Sequence, residues 1–171
     1  MQVAVVTGNP KVASRTLEAA VTLATRLTGE APDHVVDVAT LGPGVLGWGD
    51  STVTAAVEAV ASSDLVVVAS PTFKATYSGL LKVFLDQFAT GTGLAGVVAV
   101  PFMLGAGPTH ALAPELLLRP VLVELGATVV APGLYLRDSQ YDDPTASDAY
   151  VERWAPSVRA VAGIHVSDLT A

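Results

Sequence analysis

Val3-Ala4-Val5-Val6-Thr7-Gly8-Asn9-Pro10-Lys11-Val12-Ala13-Ser14-Arg15-Thr16 is the stretch on which the reading of this chain turns. Residues 3–6 form a short apolar run, β-branched except for Ala4, and read as a buried strand. Gly8 and Pro10 stop that strand and turn the chain. Ser14 and Thr16 then supply hydroxyls, and Lys11 and Arg15 positive charge, where a helical pattern opens. A helix N-terminus carries unpaired N–H groups and a partial positive charge, so anions bind there, phosphate above all. The stretch predicts a phosphate cradle between the first strand and the first helix. The plainer alternative is an ordinary strand-to-helix loop in which Ser14 only caps the helix.

The composition suits a sheet buried on both faces. Of 171 residues, 51% are hydrophobic and 15% charged, as expected for one domain built on a parallel sheet covered by helices. Every apolar run falls short of the ~18 residues of a membrane span. The start lacks the basic region of a signal peptide, so the expected location is cytoplasmic. With no cysteine, disulfides, thiolate metal sites and cysteine nucleophiles are excluded. A net charge of −7 argues against nucleic acid as a partner. Lys11, Arg15 and Lys74 nevertheless gather in two loops, a distribution suited to holding an anion.

Taken in order, periodicity predicts a helix over 17–27 ended by Gly29 and a strand over 34–38. A Gly-rich loop follows at 41–49, then a helix over 53–61 capped by Asp50 or Ser51. Strands follow at 64–69, 97–100 and 128–131. Helices are predicted over 78–88, 111–125 and 145–162, with Pro114 and Pro120 delaying or kinking the second of these. Residues 134–143 read as an extended excursion without an assigned role, and 163–171 as a mobile tail. The alternation gives an α/β sandwich with five parallel strands in the order 2-1-3-4-5, the flavodoxin-like order. Ligands of such sheets bind beyond the strand C-termini at the switch point, here the loops at 8–16, 70–77 and 104–110.

Two matches to G-x-G-x-x-G, at 42–47 and 91–96, lack the strand-then-helix context of a dinucleotide site, and no P-loop or nucleophile elbow occurs. His34, His110 and His165 have no metal-ligand spacing. His110 could touch a ligand, cap its helix or be solvated.

The stretch Ser70-Pro71-Thr72-Phe73-Lys74-Ala75-Thr76-Tyr77-Ser78-Gly79-Leu80-Leu81-Lys82 resembles the P-x-[YF]-K-x-x-Y-[ST]-G-x-L-K signature of NAD(P)H-dependent FMN reductases, particularly the alkanesulfonate-utilisation type. Gly8-Asn9-Pro10 with Ser14-Arg15 resembles the family's G-S-P-x-x-x-S-R loop. Gly105, His110, 118–122 and 138–140 are similar to further family stretches. The resemblance implies that Asn9, Lys11, Ser14, Arg15 and Thr16 hold the FMN phosphate. It implies that Pro71, Thr72, Phe73 and Lys74 line the ring and ribityl chain, and that Gly105, Ala106 and Gly107 let the backbone approach the ring edge. Pro71 and Gly79 could instead be turn residues and Phe73 core, while Tyr77 and Lys82 read as structural. Asn9 departs from the family's usual Ser. Gly105-Ala106-Gly107 departs from a Gly-Gly-Thr pattern. Leu116 replaces an aromatic or His residue associated with subunit contacts and flavin turnover.

The implied function is hydride transfer from NADPH or NADH to FMN, with reduced FMN supplied to a partner monooxygenase by a homodimer or homotetramer. Flavin carries that chemistry, so no catalytic side chain and no metal are expected. Two rivals share the fold. One is a quinone, azo or metal reductase with tightly held flavin. The other is a flavodoxin-like electron carrier, whose usual T-x-[ST]-G-x-T first loop differs from Thr7-Gly8-Asn9-Pro10.

Overall fold

The computed structural model describes residues 1–163; the expected mobile tail therefore lies, apart from Gly163, outside the described residues. Five parallel strands, β1 (Val3–Thr7), β2 (His34–Asp37), β3 (Leu65–Pro71), β4 (Val98–Gly105) and β5 (Leu134–Arg137), form one sheet in the order β2-β1-β3-β4-β5. Every residue of β1, β3 and β4 is buried, which is why these runs read as continuously apolar rather than alternating.

Helices cover both faces. On one side lie α1 (Arg15–Thr28) and α5 (Asp148–Ala162), packed on Val3, Val5, Val67, Val100 and Phe102. On the other lie α2 (Ser51–Ala61), α3 (Gly79–Leu85) and α4 (Arg119–Glu124), packed on Ala4, Val6, Val66, Val68 and Met103. Ser14 caps α1, its Oγ accepting the Leu17 N–H at 3.3 Å, and Gly29 ends it in the left-handed region at φ 90°. Asp50 caps α2 through the N–H groups of Thr52 and Val53. No described helix is long and apolar enough to cross a membrane.

Several element boundaries differ from the sequence expectation. The final strand is Leu134–Arg137 rather than 128–131. Of that stretch, Thr128 alone pairs with a strand, as an isolated bridge to Val98. Between them the backbone is served by side chains instead: Glu115 accepts the Gly133 N–H at 2.8 Å, and Arg119 donates to the Val129 carbonyl. A Cβ at Gly133 would lie 2.7 Å from the Glu115 nitrogen, so the chain runs hard against that helix.

The fourth strand does not stop at Pro101. Ala99 donates toward the β5 side, to Thr128, and Pro101 faces the same way two residues on, where β5 pairing begins only at Phe102. The missing proline N–H therefore falls in a gap and removes no ladder bond. The third long helix is short, ending at Leu85 rather than 88. After a short 3-10 turn (Pro108–His110), the residues expected to be a helix over 111–125 form a π-type turn (Pro114–Leu118) and then α4. Pro120 has no N–H for the carbonyl four residues back, and the widened turn ahead of it absorbs that loss. The expected loop at 41–49 is largely 3-10 helix, Val38–Leu46, broken at Gly42 (φ 64°). The last helix starts at Asp148, after a separate 3-10 turn, Pro144–Ser147.

Candidate functional site

The loops after β1, β3 and β4 converge above the strand C-termini on a cavity of about 380 Å³. Asn9, Lys11, Ser14, Arg15 and Thr16 line it from the first loop. Pro71, Thr72 and Phe73 line it from the second, and Leu104, Gly105 and Ala106 from the third, with Asp138 just beyond β5.

The first loop is tied to itself before any ligand arrives. The Asn9 side chain accepts the Lys11 N–H at 3.0 Å through Oδ1 and donates through Nδ2 to the buried Thr16 hydroxyl at 3.1 Å. Asn9 thus spends both side-chain groups on shaping the loop, and its departure from Ser gains a bond that a hydroxyl could not span. Ser14 caps α1 and lines the cavity at once. Lys11 and Arg15 form no ion pair among the described residues, and the Arg15 guanidinium stacks 5.5 Å from the Tyr141 ring centre. Two unneutralised cations beside a capped helix N-terminus give this end of the cavity a positive potential.

The other end is apolar and shaped by close contacts. Phe73 pairs with Thr76 through two backbone bonds, 2.8 and 3.2 Å, around a two-residue turn whose members Lys74 and Ala75 both have positive φ, 50° and 70°. Lys74 sits at the exposed tip of that turn and does not line the cavity. Ser78 locks the exit: its hydroxyl donates to the Gly8 carbonyl and accepts the Leu81 N–H at 3.0 Å, while its own N–H donates to Ser70. The start of α3 consequently packs directly on Gly8, where a Cβ would overlap Leu81.

At Gly105 the space for a Cβ is taken from within. It would overlap the Tyr135 hydroxyl, which donates to the Gly107 carbonyl at 2.6 Å, and lie 3.1 Å from Thr72 Oγ1. The Gly105 position is therefore required by the protein's own packing. Thr72, which lines the cavity, keeps its hydroxyl buried with no hydrogen-bond partner among the described residues. Such an orphan is uncommon and is satisfied when a ligand supplies the partner. Cationic cradle, orphan hydroxyl and apolar walls together fit a phosphorylated ligand with a flat, hydrogen-bonding body, and so fit FMN.

Gly107 and His110 do not line this cavity. His110 lies with Ala75, Leu112, Leu116 and Leu117 around a separate groove of about 470 Å³. Leu104 falls within the loop 104–110 that the sequence marks as ligand-binding, but neither it nor Asp138 is singled out there. Asp138 does carry a signal, since 138–140 falls in a stretch similar to the family.

A family model described as NADPH-dependent FMN reductase matches residues 1–142. A curated FMN reductase (NADPH) of Escherichia coli is 38% identical over 86 residues, covering 50% of this chain and 44% of that protein, so the chain spans under half the length of this relative. The NADH-dependent FMN reductase SfnF of Pseudomonas putida is 29% identical over 150 residues, 83% of this chain and 80% of that one. Among solved structures, an apo NADH:FMN oxidoreductase, EMOB, superposes with a TM-score of 0.80 at 29% identity, covering 96% of this chain and 90% of that one.

Proposed function

We propose, from the premise that this chain belongs to the NADPH-dependent FMN reductase family, that it oxidises NADPH or NADH with FMN seated in the cavity above β1, β3 and β4. The carrying observation is the meeting of Lys11, Ser14 and Arg15 with Thr72, Phe73 and Gly105 in one cavity at the sheet's switch point. Bound there, FMN supplies the hydride acceptor. The protein's own part is to bind and orient. Lys11, Arg15 and the N–H groups opening α1 hold the phosphate, and Asn9 and Thr16 fix the loop that presents them. Thr72 offers its hydroxyl to the flavin's polar edge or chain. Pro71, Phe73, Leu104 and Ala106 are the apolar lining that would keep water from the ring. No side-chain acid or base is assigned, because the transferred group is a hydride.

Phe73 is half exposed at the rim, which favours exchange of the flavin over burial. Reduced FMN is accordingly the product handed on, its consumer a flavin-dependent monooxygenase. The exposed apolar run Leu112, Leu116, Leu117 and Val123 supports a homo-oligomer.

The test is NADPH and NADH oxidation under air with flavin-free protein and FMN titrated in. A rate that saturates with FMN, in protein that is colourless as purified, supports flavin as exchanging substrate. Yellow protein whose rate ignores added FMN makes flavin prosthetic and moves the search to another acceptor. No oxidation with either nucleotide overturns the reductase reading in favour of an electron carrier.

A further inference from the structure

Asp37, the last residue of β2, is the one buried carboxylate among the described residues, 8% exposed, and the chemistry above makes no use of it. It lies outside the cavity lining. Its Oδ2 accepts the N–H of Ala13 at 2.9 Å, and its Oδ1 has no partner among the described residues. Thr7 stands opposite it in the β1–β2 register, and the Thr7 hydroxyl is likewise buried without a partner among the described residues. Ala13 is held at φ 50°, a conformation that a non-glycine residue avoids. The three residues around it that line the cavity, Lys11, Ser14 and Arg15, are those of the cradle.

A buried negative charge near a cradle for an anion works against the anion by Coulomb's law, and leaving a carboxylate oxygen unpaired adds to the expense. What Asp37 gives in return is a charge-assisted bond on the amide of the one strained residue in the loop. Strain of this kind persists only where the surroundings over-determine it, and it gathers at binding sites. We propose that Asp37 is a positioning residue: it clamps Ala13 in the left-handed conformation and so presets Lys11, Ser14 and Arg15 for a phosphate. The phosphate being that of FMN rests on the function proposed above; the clamp itself does not.

The test compares the full chain with D37A and D37N. Asparagine keeps an acceptor for the Ala13 N–H and brings a donor toward the orphaned Thr7 hydroxyl, so it rescues a clamp but not a charge. Two readouts are taken: amide hydrogen exchange over 9–16 without flavin, and binding of FMN and of riboflavin by quenching of flavin fluorescence. In D37A, exchange over 9–16 is expected to quicken and FMN affinity to fall about tenfold, the worth of one bond to a charged group. Riboflavin, lacking the phosphate, is expected to change less than threefold, an order-of-magnitude bound on a contact it does not make. D37N is expected to exchange as the natural protein does and to bind FMN at least as tightly, since the clamp is kept and the opposing charge is gone. The clamp is overturned if D37A exchanges and binds as the natural protein does. It is also overturned if D37N is as impaired as D37A, or if FMN and riboflavin weaken together. If the natural protein binds no FMN, the flavin reading fails while the exchange data still decide the clamp. Asp37→Ser, too short to reach Ala13 but polar enough for a buried position, replaces D37A where the alanine variant does not fold.

Discussion

The first and second loops hold between them all three non-glycine residues with positive φ among the described residues, yet they hold them differently. In the first, Ala13 is gripped from below by the Asp37 side chain, and Asn9 ties both ends of the loop. In the second, Lys74 and Ala75 are kept in place by the two backbone bonds of a minimal hairpin, with no side-chain bond to either among the described residues. The polar end of the cavity is thus built for a fixed charge geometry and the apolar end for shape. An anion needs donors at set positions before it arrives, whereas a flat ring needs only walls that can close around it.

The largest expected effect separates the two ends by charge. Arg15→Ala should weaken FMN binding by about ten- to a hundredfold, the range for a lost charge-assisted contact, and leave riboflavin nearly unchanged. Phe73→Ala should weaken both flavins alike. Equal losses for both ligands in Arg15→Ala would break the division of labour. Next comes the tie between the loops. Ser78→Ala deletes the bond to the Gly8 carbonyl and the cap of α3 together. A loss of about 1–3 kcal/mol, some 2–12 °C in Tm by thermal denaturation, is expected, with faster hydrogen exchange in both loops at once. Exchange that quickens in only one loop would show them to be independent.

A smaller effect of opposite sign tests the hairpin. Ala75→Gly should stabilise by about 0.5–1 kcal/mol, since glycine occupies φ 70° freely. The smallest effect lies away from both loops and serves as a control. Burial, and then the nearby Glu115, push the Tyr150 phenol above its ordinary value of 10.0, and its hydroxyl donates to the Pro132 carbonyl at 2.8 Å. Because the folded value is the higher one, the contribution is fully present below pH 10 and is lost as pH rises beyond it. Tyr150→Phe should flatten the alkaline limb of the Tm–pH profile without moving flavin affinity.

Much of this was legible in the sequence because it is local. A β-branched run, a glycine and a capping serine suffice for β1, the loop and α1, and the same logic yields β3 and its signature loop. What escaped was set by partners distant in the chain. Thr128 to Ala131 has strand composition, but Glu115 and Arg119 draw the following backbone off the sheet, and β5 forms only at Leu134. Pro101 reads as a stop, yet its missing donor faces a gap that only the pairing register reveals. Gly105 reads as room for a ligand, whereas Tyr135, thirty residues on, occupies that room. Asp37 looks like any strand-end acid until its bond to Ala13 is seen.

The most direct test of the central claim is a fluorescence titration of flavin-free protein with FMN and with riboflavin, in the natural chain and in Arg15→Ala. Saturable FMN binding that is at least about tenfold tighter than riboflavin, with the preference abolished in Arg15→Ala, is the expected result. Equal affinity for the two flavins in the natural chain would contradict it, and would remove the phosphate from the first loop.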